Sequence, residues 1–336
     1  MIKKLIYSFA AVFCASLSVQ AQDPQFSQFF FSPMMLAPSF AGTTSGGRAV
    51  LNYRMQWPTI SKPFHTTAVG ADHTFTRFNS GAGVLLTSDI AGSSYLNRTK
   101  AAMQYSYNVS INSKVFFRPG IEFSYNRIGI SYGNLLFGDQ IYHNMESSNE
   151  SDPLPSKNYF DAGASVLVYS ELFWGGMTMA HLMQPNESLM REDSDSKVPI
   201  KTTIYGGGKI ELSGRIGRED EESIFYGMLY ASQGKYDQLD FGAYYYRLPF
   251  LIGAWYRGLP AVKKNPDNAI NHDALTLIAG YKISNFVAAY SYDITVSRLF
   301  LNSGGAHEIS VGYYFNQDYY KNKRKKKVNV PCPRFM

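Results

Sequence analysis

Between residues 48 and 315 the chain changes polarity at every second residue, in segment after segment, and no run of it is apolar for 18 residues. Successive side chains of a strand point to opposite faces, so such a segment has one greasy face and one hydrophilic face. Residues 115–127 show this well. Val115, Phe117, Ile121, Phe123 and Tyr125 share one face, and Arg118, Gly120, Glu122, Ser124 and Asn126 the other. In 100–109, Ala101, Met103, Tyr105, Tyr107 and Val109 oppose Lys100, Gln104, Ser106 and Asn108. In 48–56, Ala49, Leu51, Tyr53 and Met55 oppose Arg48, Asn52, Arg54 and Gln56. A membrane-spanning helix needs about 20 consecutive apolar residues, whereas segments of about ten alternating residues are the signature of a transmembrane β-barrel.

Fourteen such segments begin near Arg48, His65, Gly81, Thr99, Val115, Tyr159, Leu172, Thr202, Ser223, Gln238, Leu251, Asp273, Phe286 and His307. An even number suits a single-chain bacterial barrel, and closure removes sheet edges that lipid would not tolerate. The fold expected is therefore all-β, a transmembrane antiparallel β-barrel of about 14 strands over 48–315, with apolar residues outward and hydrophilic ones in the lumen. Two segments are ambiguous: 223–233 is apolar on both faces, and glycines blur 172–180. Long connections such as 128–158, 181–201 and 257–272 mostly alternate with short ones, as external loops alternate with periplasmic turns; 213–222 and 233–237 break the rule. With an even count both termini are expected on the periplasmic side.

Composition fits this picture. The chain has 25 Tyr and 23 Phe but only 17% charged residues, against about 25% for an average soluble domain. Its net charge is +6, yet the run 321–327 holds six positive charges and Lys3 and Lys4 two more, so the remainder is net negative. Basic character confined to a tail excludes a nucleic-acid-binding body.

The ends read differently. Residues 1–21 have the layout of a secretory signal peptide: Lys3 and Lys4, an apolar stretch from Leu5 to Val19, and Val19-Gln20-Ala21 before Gln22. A lipoprotein reading through Cys14 is weak because Phe13 stands where a small residue is wanted. Residues 22–47 are broken by Pro24, Pro33 and Pro38 but are too aromatic for a disordered leader. Asp23, Pro24, Gln25 and Phe26 therefore begin a segment expected to pack as a plug, in the lumen or on the periplasmic rim. Residues 316–336 form a basic periplasmic tail, where Lys323-Arg324-Lys325-Lys326-Lys327 could meet acidic partners, and Cys332-Pro333-Arg334-Phe335 reads as a docking peptide. Cys332, the one cysteine left after export, could pair between molecules or stay buried and inert.

No cofactor or metal site is expected. The acid–histidine neighbours Asp72-His73, His272-Asp273 and His307-Glu308 invite an enzyme reading, but adjacent strand residues point to opposite faces, so each pair is split by the wall. Asp193-Ser194-Asp195 lacks the glycine and distant glutamate of a calcium loop and reads as a solvated loop tip. Trp57-Pro58, at an external strand end, suits an aromatic girdle more than ligand stacking. Asn52, Arg54, Gln56, Asp293 and Glu308 face inward on the first and last strands. They could form a network at the closure seam or touch a partner.

Four stretches resemble the PorP/SprF family of outer-membrane proteins of the Bacteroidetes type IX secretion and gliding apparatus. They are Gln22-Asp23-Pro24-Gln25-Phe26-Ser27-Gln28 with Pro33 and Pro38-Ser39-Phe40-Ala41-Gly42; Leu51-Asn52-Tyr53-Arg54-Met55-Gln56-Trp57-Pro58; Tyr290-Ser291-Tyr292-Asp293-Ile294 with Gly305-Ala306-His307-Glu308-Ile309-Ser310; and Cys332-Pro333-Arg334-Phe335. The resemblance implies a non-enzymatic outer-membrane barrel. It implies a partner too, the C-terminal domain of a large secreted surface adhesin that the barrel secretes or anchors, and links to periplasmic or lipoprotein components of the apparatus. From the residues alone, a pore or transporter for small solutes or hydrophobic ligands is the alternative.

Overall fold

The computed structural model describes residues 23–92, 96–131, 142, 156–189, 196–213, 222–259, 271–296 and 304–315. The proposed signal sequence, the basic tail, Asp193-Ser194-Asp195 and the tips of several long loops lie outside them.

The strands are β1 (Gly47–Gln56), β2 (Phe64–Phe75), β3 (Ser80–Ala91), β4 (Leu96–Tyr107), β5 (Val109–Ser110), β6 (Phe116–Gly129), β7 (Ser156–Tyr169), β8 (Phe173–Ala180), β9 (Lys201–Ser213), β10 (Glu222–Gln233), β11 (Tyr236–Arg247), β12 (Phe250–Leu259), β13 (Asn271–Ile283), β14 (Phe286–Thr295) and β15 (Ala306–Phe315). All pairings are antiparallel between neighbours, and β1 pairs with β15 from Gly47↔Phe315 to Gln56↔Ala306, which closes the sheet. β5 is a two-residue ladder on β6 at the β4–β6 turn, so the wall is a closed barrel of 14 strands. Each falls within a few residues of its expected start, because the requirement that produces the alternation, one face for lipid and one for the interior, is also what fixes strand register.

The outer face carries Leu51, Val69, Leu86, Met103, Phe123, Ile252 and Ile309, all exposed. The inner face differs from the expected hydrophilic lining. The inner face of β1–β7 and of the adjoining β14 and β15 is predominantly polar, with Arg48, Asn52, Asp72, Gln104, Arg118, Glu122, Asp293 and Glu308 buried there. Across the lumen, Trp174, Tyr205, Phe225, Leu229, Tyr244, Leu251, Trp255 and Ile278 form one apolar core with Phe29, Phe30, Phe31 and Phe40. The reason is that protein fills this lumen. Residues 23–46 run through it and supply apolar partners, which is why β10 is apolar on both faces.

That segment contains a single-turn helix, α1 (Pro33–Leu36), and a 3-10 turn at Pro38–Phe40. It spans the lumen from one end to the other. The ends of the wall, Gly47 and Phe315, pair at the short-turn end. Asp23 instead lies at the opposite end, beside Lys201 and His181 where β9 begins and β8 has just ended.

Close passage of the segment demands glycine in the wall. A Cβ on Gly120 would sit 2.3 Å from the Ser39 nitrogen, and one on Gly81 2.2 Å from the Ala41 oxygen. Overpacking of this kind costs about 1–3 kcal/mol. Gly120→Ala is therefore expected to lower the temperature at which the folded, faster-migrating band is lost in unboiled gels. Gly175→Ala, whose Cβ would meet only ordinary contacts at 3.5 Å, is expected to leave it unchanged.

Candidate functional site

The lumenal segment is held at three levels. At the short-turn end, Arg48 forks onto Asp72 through Nε and Nη2 at 2.9 and 3.2 Å, and the Gly42 amide donates to the same carboxylate at 2.7 Å. Arg118 donates to the carbonyls of Ala41 and Gly42 at 2.6 and 3.0 Å. The Thr74 hydroxyl lies 2.6 Å from the carbonyls of both Gly42 and Thr44. These side chains satisfy backbone groups of an irregular strand-free segment that has no ladder of its own, a necessity wherever such backbone is buried.

Deeper in, towards the long-loop end, the Ser27 and Gln28 amides each donate to one oxygen of Glu308 at 2.9 Å. Arg54, directly opposite Glu308 in the β1–β15 pairing, reaches Glu308 at 3.1 Å, Asp293 at 2.7 Å and the Ser27 hydroxyl at 2.7 Å. Arg257 donates to that hydroxyl at 2.6 Å and lies 3.5 Å from Asp293 and 3.7 Å from Asp240. Ser27 Oγ also lies 2.7 Å from Asp293, and Gln28 Nε2 donates to Ser291 and to the Glu308 carbonyl. Arg48, Asp293 and Glu308 are all within 3% of complete burial. Charges are kept in such a place only when matched and hydrogen-bonded.

At the long-loop mouth, His181 sits between two carboxylates, Nδ1 2.6 Å from Asp161 and Nε2 2.9 Å from Asp23, with Lys201 3.5 Å from Asp23. Burial alone would push the imidazolium down; the Asp161 and Asp23 carboxylates outweigh it and hold His181 up at about 9. Burial likewise opposes ionisation of Asp23, but Lys201 and His181 hold its carboxyl well below the usual range. The loop that follows β8 closes over the same mouth: Glu187 lies 2.6 Å from Arg98 and accepts from Tyr159 at 2.5 Å. Because the His181 shift is upward from 6.5, the stabilisation it gives is complete below about pH 6.5 and is lost as pH rises through about 9. Wild type is thus expected to be more stable than His181→Gln at pH 7, by the roughly 1.5–3 kcal/mol of charge-assisted bonds. Thermal unfolding of the two proteins should converge by pH 10.

The residues singled out from the sequence fall into this frame unevenly. Asn52 donates to Ser310 at 2.6 Å across the seam, and Arg54, Asp293 and Glu308 join the Ser27–Gln28 seat, while Gln56 is only half-buried at the strand end. Of the segment's first residues, Gln25 donates to Asp240 at 3.2 Å and Phe26 packs on Ala68, Leu85 and Ala102. Asp72 faces the lumen while His73 stacks on Phe315. Glu308 faces inward while His307 bonds the Tyr290 hydroxyl. The side chains of His272 and Asp273, and residues 323–335, lie outside the described residues. Sequence reasoning missed Ser27, Gln28, Arg257, His181 and Asp161. Ser27 and Gln28 stood inside a quoted motif, but nothing local marked Arg257, His181 or Asp161. Among the described residues no group of three or more His, Cys, Asp or Glu could hold a metal.

The profile of a family described as type IX secretion system membrane protein PorP/SprF matches residues 18–313. No curated protein matches the chain. Among solved structures, similar chains include the toluene transporter TodX of P. putida, at 10% identity over 82% of this chain and 91% of that one, TM-score 0.45. The CymD monoaromatic hydrocarbon channel is similar at 10% identity over 88% and 95%, TM-score 0.43, and CdiB from Acinetobacter baumannii at 6% over 81% and 60%, TM-score 0.44.

Proposed function

The chain belongs to the PorP/SprF family of type IX secretion system membrane proteins, and on that premise we propose that it is an outer-membrane anchor, not a conduit. In this reading it holds a large secreted adhesin at the cell surface through the adhesin's C-terminal domain. The long-loop face, with loops 130–155 and 181–200, receives the adhesin. The tail 316–336, with its basic run Lys323 to Lys327 and its end Cys332-Pro333-Arg334-Phe335, meets periplasmic or lipoprotein components of the apparatus.

The observation that carries the reading is the three-level attachment of residues 23–46. A lumen crossed end to end by covalently attached chain, with matched charges at its centre, favours binding at the rims over passage of a polypeptide or of solutes. A solute pore would require that segment to leave its seat. Polar seam residues such as Arg54 and Glu308 then serve the partner indirectly, by keeping the mouth rigid. Affinity purification from native membranes tests the proposal: wild type should bring down a secreted surface protein and periplasmic components. A chain lacking 316–336 should keep the former and lose the latter. Recovery of neither with the intact barrel would refute the anchor.

A further inference from the structure

The wall is incomplete along one strand. β7 pairs with β6 over its whole length, from Phe116↔Tyr169 to Gly129↔Ser156. Its other neighbour, β8, pairs with it only from Tyr169↔Trp174 to Ala164↔Met179. Above Ala164, towards the long loops, that side of β7 has no strand beside it among the described residues. In an antiparallel ladder the N–H and C=O of one residue point to the same side, and successive residues point to opposite sides. Ala162 fixes the phase. Its carbonyl accepts from Leu182 at 3.0 Å and its amide donates to the Asp161 carboxylate at 2.8 Å, so its bonds face the open side. Phe160 and Asn158 follow in the same phase, and their backbone groups have no partner there among the described residues. The chain after Leu182 does not cover them. It turns inward over the mouth, where Glu187 bonds Tyr159 and Arg98.

We propose that an extended segment of the secreted protein pairs with this edge and continues the sheet as an added strand. The proposal rests on the anchor reading above and names where and how the partner is held. A row of unpaired N–H and C=O groups is a template for a strand, and main-chain bonds of this kind supply affinity while side chains supply specificity. The surroundings set the composition. Phe160, Leu182 and Met183 are exposed at the foot of the edge, which suits an apolar residue. Arg127, opposite Asn158 on β6, bonds the Ser156 hydroxyl at 3.3 Å, and Lys157 bonds the Ser188 carbonyl at 3.3 Å. Neither has a carboxylate partner among the described residues. The strand that fits is apolar where it meets Phe160 and acidic where it meets Arg127. A second copy of this chain fits worse, because two-fold pairing of the edge with itself would bring the same cations together.

The test is photo-crosslinking of the full chain in its native cells. The probe is p-benzoylphenylalanine replacing Asn158, Phe160 or, as a control on the outer face of a strand paired on both sides, Met103. Expected are adducts of the secreted protein from 158 and 160, at sites two residues apart on one segment that carries Asp or Glu, and none from 103. Asn158→Pro removes an edge N–H and leaves the ladder to β6 intact. It should cut the adduct from 160 at least about fivefold, while the folded band in unboiled gels persists. Should that variant fail to fold, the two-residue spacing decides alone. An adduct of two copies of this chain, a link within the chain, sites scattered over the secreted protein, or no adduct would each overturn the added strand. If the secreted protein still co-purifies in any of those cases, the anchor stands and only the edge pairing falls. If it does not, the anchor falls as well.

Discussion

Removal of residues 23–44 turns an electrically silent barrel into a conducting one. In planar bilayers the intact protein is expected to give almost no unitary events. The deletion variant should give steps at least about tenfold larger, because a 14-stranded wall is wider than the eight strands that side chains can fill and approaches the sixteen that leave an aqueous channel. The polar half of the wall, with Arg48, Asn52, Asp72, Gln104 and Arg118, would line the new path with water. The other half would not welcome it. Phe29 and Phe30 now pack on Trp174, Tyr244 and Trp255 at ring distances of 4.8–5.8 Å. Each buried phenylalanine contributes about 1.5–3 kcal/mol, so the open barrel should also be markedly less heat-stable. The pairing of these two outcomes is informative. A deletion variant that is folded by circular dichroism yet electrically silent would mean that the wall, not the segment, blocks the lumen.

The wall was legible in the sequence because its physics is local. Lipid on one side imposes a two-residue period, and a period can be read without knowing what the strand pairs with. The same period correctly separated Asp72 from His73 and Glu308 from His307. How the N-terminal segment is seated in the lumen was not legible for the converse reason. The apolar inner face of β10 makes sense only beside Phe30, nearly 200 residues away, and Phe30 sits in a segment with no period at all. Ser27 and Gln28 hold Glu308 through backbone amides, which any residue but proline could supply, so their identity carries no signal of that contact. His181 meets Asp23 across 158 residues and Asp161 across 20, distances at which no spacing rule operates.

Arg54→Met should be the most damaging single substitution in the wall. Methionine keeps most of the aliphatic volume, so the loss is mainly electrostatic. It leaves Glu308 and Asp293 facing one another in the barrel interior, with Arg257, 3.5 Å from Asp293, as the nearest cation in place. Stranding one side of a buried ion pair costs about 3–5 kcal/mol, a large share of the stability of any domain. Arg54→Lys keeps the charge but cannot reach Glu308, Asp293 and Ser27 together as the forked guanidinium does, so an intermediate loss is expected. Adding Glu308→Gln to Arg54→Met removes one of the stranded charges and should restore part of the stability, although the amide can accept from only one of the Ser27 and Gln28 N–H groups through its oxygen. In denaturant unfolding in detergent the double variant should therefore be more stable than the sum of the single losses implies, by about 1–3 kcal/mol. Additivity within about 0.5 kcal/mol would mean that Arg54 and Glu308 do not act on one another, and that the lumenal segment is held by its aromatic residues instead of by the charges beneath it.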